Sequence, residues 1–299
     1  MRRWVAIRFL LAACACGSTT SEEELRARTP EAPPQARTVR GTRAIDLAWE
    51  PNGLAWDTAE RALYAVDLTG NRIMRWTDRR GFQVAASLPR ARGGGPSGLG
   101  GIARLADGRT AVARTAAGKG GNTLIVISEA RGAELLTQLP TDRRRVGVAA
   151  GPEDILYVTA TLSGDRDGPR GRVTRVDLDE GEETDLPMGE LLKPVGVVVV
   201  DGVLYVSDQT QGEVIALSLV PLGSAHSVAQ LKSPDMMAAG PNKSVLIASK
   251  TGAVWQLFAD GRLIRLLTSR EQVRGIAYDP AGKRMFFAEY DADPSDGVE

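Results

Sequence analysis

Few side chains of this 299-residue chain can serve in histidine- or cysteine-based chemistry. The single histidine, His226, lies among polar residues, and one histidine supports no Ser-His-acid triad. The two cysteines, Cys14 and Cys16, lie close together near one end of the chain, so they supply neither a disulfide framework nor a complete zinc site. The chain therefore has little room for histidine-based metal ligation or a proton relay.

One shared position of six similar segments is polar or charged in four of them. That position is occupied by Asn52, Ser97, Val146, Val195, Asp235 and Arg274. Successive positions are 39 to 49 residues apart, which is about the length of one four-stranded propeller blade. The elements that position these side chains are therefore expected to be the blades of a β-propeller.

The residues that follow the shared position in each segment are predicted to form short strands. Runs such as 62–66, 72–76 and 203–206 are rich in β-branched and aromatic residues, and Gly, Asn, Asp or Pro bound them. Helical periodicity is nearly absent. One small sheet leaves both faces bare, whereas six sheets packed around an axis cover one another. We predict an all-β domain over residues 41–299, a six-bladed propeller of four-stranded antiparallel blades.

Closure of this ring requires a strand from the beginning of the domain to complete the last blade. The chain continues only to residue 299, shortly after the second strand of the sixth repeat. We expect residues 43–49 to form the outer strand of the last blade and so to close the ring. The third strand of that blade is expected to be missing or to consist only of residues 297–299.

A mixed-charge mouth is predicted at one end of the central channel. The second strands run back to the end where the inner strands begin, and their last residues are predicted to be Asp67, Arg114, Ala160, Asp208, Lys250 and Glu289. The candidate ligand-binding residues are Asn52, Ser97, Asp235, Arg274, Asp67, Arg114, Asp208, Lys250 and Glu289. These charges either neutralise one another in a structural ring or form a pocket for a polar ligand.

The segment Pro-Asn-Gly-Leu-Ala-Trp-Asp at 51–57, with Leu-Tyr-Ala-Val-Asp at 63–67 and Leu-Tyr-Val-Ser-Asp at 204–208, resembles the SMP-30/gluconolactonase superfamily and the related NHL-type repeats. The resemblance covers roughly residues 41–299. It implies a six-bladed propeller, an architecture that hosts many unrelated functions.

The resemblance also implies where a divalent metal would bind. The gluconolactonase family holds one ion with Glu, Asn, Asn and Asp at positions that match Asn52, Val146, Val195 and Asp235 here. Only Asp235 is retained, and the two valines cannot coordinate an ion. We therefore expect a non-catalytic binding module without a cofactor, whose ligand is a small molecule or a protein. The alternative is a metal-dependent lactonase with a cation such as Ca²⁺ on Asp235 and Asn52.

The first residues have the plan of a bacterial secretion signal. A basic start precedes an apolar run too short to span a bilayer, and the sequence Leu-Ala-Ala-Cys at 11–14 resembles a lipobox. This predicts a signal peptide over 1–13, lipidation of Cys14 and a disordered tether over 14–40. The protein would then be lipid-anchored to the membrane in the cell envelope, in the outer membrane of a Gram-negative host. An ordinary signal peptide is the alternative.

The charge balance argues against nucleic acid as a partner. Lys plus Arg and Asp plus Glu both number 37, so the formal net charge is zero, whereas proteins that bind nucleic acid usually carry a basic excess. The basic run at 143–145 stands alone, and no array of aromatic residues accompanies it for base stacking.

Overall fold

Six four-stranded antiparallel sheets surround a central channel in the computed structural model, which describes residues 5–11, 43–89, 97–116, 122–162, 170–269 and 271–290. The described residues contain one short 3-10 helix, Pro241–Lys243, and otherwise strands and turns. The predicted all-β, six-bladed propeller is therefore confirmed. Among these residues, no helix is long and apolar enough to cross a membrane.

Each blade is built outwards from the channel. The inner strands are β3 (Pro51–Asp57), β7 (Ser97–Arg104), β11 (Arg143–Ala150), β15 (Pro194–Val200), β19 (Pro234–Ala239) and β23 (Gln272–Asp279). The second strands are β4 (Ala62–Asp67), β8 (Thr110–Ala116), β12 (Ile155–Leu162), β16 (Val203–Asp208), β20 (Val245–Ser249) and β24 (Arg284–Tyr290). The third strands are β5 (Arg72–Thr77), β9 (Thr123–Ser128), β13 (Gly171–Asp177), β17 (Glu213–Ser218), β21 (Ala253–Leu257) and β1 (Val5–Leu11). The outer strands are β6 (Gly81–Ser87), β10 (Gly132–Leu135), β14 (Glu182–Asp185), β18 (His226–Gln230), β22 (Leu263–Thr268) and β2 (Arg43–Asp46).

The apolar core is divided among the interfaces between neighbouring blades. Every residue of β4 is buried, because the second strand of a blade is covered on both faces. Outer strands such as β14 are mostly exposed. The interface between blade six and blade one is aromatic, with Trp56 stacked on Phe286 at 5.4 Å between ring centroids and Trp76 at 5.6 Å from the same ring. This interface packs the last blade against the first and closes the ring.

Each inner strand carries a register shift at the same level of its blade. In blade one, Pro51 pairs with Asp67 and Leu54 with Ala65, which leaves residues 52 and 53 between the two pairs. In blade two, the equivalent pairs are Leu99 with Arg114 and Ile102 with Val112. The ring position predicted for Ser97 is therefore held by Gly100, three residues later.

A second, smaller correction concerns blade five. Pro234 pairs with Ser249 there, so Ser249 is the equivalent of Asp67, and Lys250 lies one residue beyond the strand. Both errors have one physical cause. Several alignments of a strand satisfy the same apolar pattern, and only the backbone hydrogen bonds of the sheet select one of them.

Glycine in the inner strands is required by the closeness of the blades around the axis. A Cβ on Gly53 would lie 2.6 Å from the carbonyl oxygen of Gly100 in the next blade. A Cβ on Gly147 would collide with the carbonyl oxygen of Val195. The absence of a side chain at these positions therefore allows the blades to approach closely around the axis.

Blade six is completed from the beginning of the chain. The predicted outer strand is present as β2, but the third strand is β1, which pairs with β24 from Val5↔Tyr290 to Leu11↔Arg284. The expectation of a missing third strand is wrong, and residues 297–299 lie outside the described residues. A short apolar run is compatible with a β-strand as well as with the apolar part of a signal peptide. The sequence of residues 5–11 therefore does not distinguish the two.

The strand β1 lies within the predicted signal peptide, residues 1–13. The Ile7 side chain is fully buried in the core between blades six and one. The Arg8 Nε lies 2.6 Å from the Glu289 Oε2. Cleavage before Cys14 would remove this strand from blade six. Cys14, Cys16 and the predicted tether lie outside the described residues.

Candidate functional site

The channel has two ends, and the inner strands all begin at the same one. We name this end the strand-start mouth and define it by the first residue of each register shift: Asn52, Gly100, Val146, Val195, Asp235 and Arg274. The glycine that follows in one blade abuts the carbonyl of this residue in the next, as Gly196 does with Asp235 and Gly275 with Asn52. These six positions therefore form one ring around the axis.

The hydroxyl groups of two side chains bridge the backbones of neighbouring blades in this ring by hydrogen bonds. Ser207 Oγ accepts the Gly196 N–H at 2.7 Å and donates to the Asp235 carbonyl at 2.7 Å. Thr159 Oγ1 makes the same pair of bonds in the preceding blade, to the Gly147 N–H at 2.8 Å and the Val195 carbonyl at 2.7 Å. The backbone carbonyls of Val195 and Asp235 are thus each bonded to a hydroxyl of the preceding blade.

Asp235 is the buried acid of the mouth. It is 4% exposed, and its Oδ1 accepts its neighbour Met236 N–H at 2.9 Å while its Oδ2 accepts Gln209 Nε2 at 3.1 Å. Burial raises the pKa of Asp235, and the positive charges of Arg274 and Lys250 oppose that rise without cancelling it. A carboxyl with a raised pKa in a channel is a recognised indicator of a functional site.

Arg274 and Tyr290 lie near Asp235, and each has a hydrogen-bond donor without a described partner. The Arg274 guanidinium lies 4.6 Å from the Tyr290 ring centroid, and its Nη2 donates to Gln272 Oε1 at 3.3 Å. The Arg274 Nε and the Tyr290 hydroxyl are buried and have no hydrogen-bond partner among the described residues. Burial also raises the pKa of the Tyr290 phenol, so this group stays protonated and is a donor. Buried polar groups without partners are rare and need an explanation.

Asn52 belongs to the same ring, but its amide nitrogen already makes a hydrogen bond within the fold. Its Nδ2 donates to the Leu99 carbonyl in the neighbouring blade at 2.8 Å. The carbonyl oxygen of the amide is the group that remains for a ligand or an ion. Ser97 begins the inner strand of blade two, three residues before the ring position.

Two predicted acids, Asp67 and Asp208, are buried acceptors that hold turns. Asp67 pairs with Arg72 at 2.6 Å and accepts the Gly70 N–H at 2.9 Å. Asp208 accepts backbone N–H groups from the segments on both sides of its strand, among them Leu192 at 2.7 Å and Thr210 at 3.0 Å. Their oxygens are therefore occupied by backbone N–H groups of the neighbouring turns and, in Asp67, also by the Arg72 guanidinium.

The other predicted mouth residues also have partners. Arg114 is buried, donates to the Pro89 carbonyl at 2.8 Å, and has its pKa lowered by burial. Glu289 pairs with Arg8. Lys250 acts on Asp235 through its charge. The predicted ring of mutual ion pairs is thus replaced in part by contacts to turns and to β1, while Asp235, Arg274 and Lys250 remain electrostatically linked.

Sequence reasoning missed Tyr290 and Gln209, because neither lies at a predicted start of an inner strand or at a predicted end of a second strand. The tertiary structure brings them to Asp235 from blade six and blade four. A signal for Tyr290 exists in the sequence, since it directly follows Glu289, the predicted last residue of the second strand.

The mouth offers few ligand atoms for a metal ion. Val146 and Val195 place alkyl groups at two of the four positions that the family resemblance assigns to ligands. In the part of the chain that the structure describes, no three His, Cys, Asp or Glu residues cluster closely enough to hold an ion.

The opposite end of the channel, where the inner strands end, opens into a cavity of about 610 Å³. We name it the strand-end funnel. Each blade contributes to its wall, with Leu54, Ile102, Ala149, Val198, Met237 and Tyr278. Towards the mouth the channel narrows to a void of about 20 Å³ between Leu54, Ile102, Val148 and Met236. Sequence reasoning did not predict the funnel, because most of its wall is apolar and its polar residues lie far apart in the chain, outside any motif.

Comparison with known proteins shows similarity in architecture. No protein-family model matches the chain, and no curated protein matches it in sequence. A gluconolactonase of Xanthomonas campestris is 18% identical with a TM-score of 0.64, and the match covers 81% of this chain and 86% of that one. The calcium-binding protein regucalcin of Agrobacterium tumefaciens is 15% identical with a TM-score of 0.59, covering 82% and 92%. A chain of a nidogen/laminin complex is 18% identical with a TM-score of 0.63, covering 79% and 88%.

The shared feature is the six-bladed propeller. At these identities the likeness shows the fold alone, and it confirms at that level the resemblance found in the sequence. The activities named for these proteins belong to those proteins.

Proposed function

We propose that this chain is a ligand-binding propeller that holds a small polar molecule at the strand-start mouth and does not convert it. The observation that carries the proposal is the pair of unpartnered buried donors, the Tyr290 hydroxyl and the Arg274 Nε, close to the buried Asp235. A ligand that supplies acceptor oxygens would satisfy both donors at once.

The chemistry of the mouth favours a ligand with neighbouring carbonyl, carboxylate or hydroxyl oxygens. Tyr290 and Arg274 donate, and Arg274 adds a positive charge that favours an anionic group. Asp235 and Gln209 can orient hydroxyl groups of the same ligand. The hydroxyl bridges at Ser207 and Thr159 hold the surrounding backbone fixed, which lowers the ordering cost of binding.

Gluconate and glucono-1,5-lactone are suitable first probes, because both combine a carboxyl-level carbon with several hydroxyl groups. Calorimetric titration of the protein with gluconate should give one saturable site. Tyr290→Phe removes only the hydroxyl, and the loss of one hydrogen bond should weaken binding by about tenfold. Tyr205→Phe is the matched control, because it makes the same chemical change at a side chain packed against the core between blades four and five, and it should bind like the parent. Equal affinity of the parent and Tyr290→Phe would refute this site.

Metal-dependent lactonase activity is the second candidate. It is favoured by the structural likeness to a gluconolactonase and by the presence of Asp235 and Asn52 in one ring. Titration with Ca²⁺, Zn²⁺ and Mn²⁺ distinguishes the two functions. Micromolar binding that Asp235→Ala abolishes, together with turnover of glucono-1,5-lactone, would favour the hydrolase over the binding module.

We also propose that the protein is anchored in the bacterial cell envelope by lipid on Cys14. The support is the sequence Leu-Ala-Ala-Cys at 11–14 after a basic start. Cys14→Ser should release the protein from membranes. Processing before Cys14 and pairing of β1 in blade six exclude each other within one molecule, so the intact mass of the membrane-bound protein is decisive. A mass that retains residues 1–13 would contradict the anchor.

A further inference from the structure

The strand-end funnel has the size and the wall chemistry of a small-molecule site. Its volume of about 610 Å³ lies within the roughly 300–1,000 Å³ typical of ligand pockets. Most of its wall is formed by the apolar ends of the six inner strands, including Ala149, Val198 and Met237. Such a wall holds the hydrocarbon part of a ligand, because binding removes apolar surface from water.

The charged groups of the wall are all positive. Arg104 and Lys283 line the funnel, and no carboxylate is among the lining residues in the described part of the chain. The polar residues Thr58 and Asn242 share this lining. The charge of the funnel is therefore complementary to an anionic group.

The two cations differ in how far they are already engaged. Arg104 Nε donates to Asp57 Oδ2 at 2.7 Å, and its Nη2 lies 2.9 Å from Glu60 Oε1. Although burial opposes it, hydrogen bonds from the Glu60 N–H and from Arg104 lower the pKa of Asp57. The Arg104 guanidinium also stacks on the Tyr64 ring at 4.3 Å. The Arg104 guanidinium is thus already paired with Asp57 and Glu60.

Lys283 is the cation that remains for a ligand. It is exposed at the turn between β23 and β24, with a φ of 51°, and its ammonium makes no ion pair with any described residue. Lys243, on the same side of the molecule, is instead paired with Asp201 at 2.9 Å. An anionic head group held by Lys283 would leave the rest of the ligand over the apolar wall.

We propose that the strand-end funnel is a second binding site, specific for a small amphipathic anion with an apolar tail and a terminal carboxylate. The tail lies against the ends of the inner strands and the carboxylate pairs with the Lys283 ammonium. The narrow part of the channel, with a void of only about 20 Å³, separates this site from Asp235 and Arg274. The two sites are therefore expected to fill independently.

Octanoate and 1-octanol test the proposal on the full chain, because they share a tail and differ in charge. Isothermal titration should show one saturable site for octanoate. Lys283→Gln should weaken octanoate binding by about threefold to fivefold, as expected for an exposed ion pair, and leave octanol binding unchanged. Lys243→Gln is the matched control and should leave both ligands unaffected.

A filling substitution tests the location. Ala239 is exposed and lines the funnel, so Ala239→Trp should fold normally, which its melting temperature will verify, and should weaken both ligands at least tenfold. Ala239→Ser controls for the change of residue. Octanoate binding that survives Ala239→Trp, that ignores Lys283→Gln, or that is absent in the parent would overturn the proposal. Tyr290→Phe should leave octanoate binding unchanged, so failure of the mouth site and failure of the funnel site are distinguishable.

Discussion

The placement of β1 in blade six leads to a strong prediction for a single substitution, Ile7→Ala. The Ile7 side chain is fully buried between blades six and one, where it packs in the same core as Phe286 and Trp76. Truncating a fully buried isoleucine removes apolar contacts and leaves a cavity, which destabilises proteins by about 2–5 kcal/mol. Because the aromatic rings around the site are rigid, we expect limited collapse and about 3 kcal/mol in this range.

Equilibrium unfolding in urea measures this loss, on protein whose intact mass confirms that residues 1–13 are present. Ile45, which pairs with Ile7 across β1 and β2 and is only partly buried, provides the matched control. Ile45→Ala should cost less than Ile7→Ala, and it lies outside the predicted leader. A free energy of unfolding that Ile7→Ala changes by less than about 0.5 kcal/mol would show that β1 does not belong to the folded blade.

Three further predictions concern the ring, a buried ion pair and the buried acid. Gly147→Ala should destabilise the protein by at least about 2 kcal/mol, measured by urea unfolding, because the added Cβ would meet the Val195 carbonyl of the next blade; stability equal to the parent would contradict the crowding at the axis. Arg145 is fully buried, with its Nη2 2.5 Å from Glu183 Oε2. Arg145→Ala should cost about 3–5 kcal/mol, because it removes the nearest cation from that buried carboxylate and leaves it with the Thr174 hydroxyl at 2.8 Å and Arg143 at 3.9 Å; the exposed Arg131→Ala should change stability by no more than about 0.5 kcal/mol. Burial raises the pKa of Asp235 in the folded state, so the folded protein binds more protons than the unfolded one, and its stability falls as the pH rises from the unfolded pKa through the folded one. Asp235→Asn should therefore stabilise the protein more at pH 7 than at pH 4. An equal effect at both pH values would contradict a raised pKa of this buried carboxyl.

The two ends of the channel divide the polar and the apolar chemistry of this propeller. The strand-start mouth contains a buried acid, a guanidinium and a phenol, while the strand-end funnel is mostly apolar and has at its wall Lys283, which pairs with no described acid. Two sites of different character would let one fold recognise two ligands. The titrations with gluconate and octanoate measure them separately.

The sequence predicted most of the architecture because a propeller is built from repeats. Six similar segments, short β-branched runs and turn residues predicted six blades, and the segment from Arg43 was correctly predicted as the outer strand that closes the ring. It also placed Asp235 and Arg274 at ring positions, and in the structure each is the first residue of the register shift in its inner strand. These features are local in the chain, and local patterns are what a sequence expresses directly.

Only the tertiary structure decided the register of blade two, where Gly100 takes the place predicted for Ser97, and the third strand of blade six. Both depend on hydrogen bonds between segments whose side-chain patterns allow more than one pairing. The same holds for the meeting of Tyr290, Gln209 and Asp235 and for the strand-end funnel. These are formed by residues distant in the chain, and their position follows from how six sheets pack around one axis.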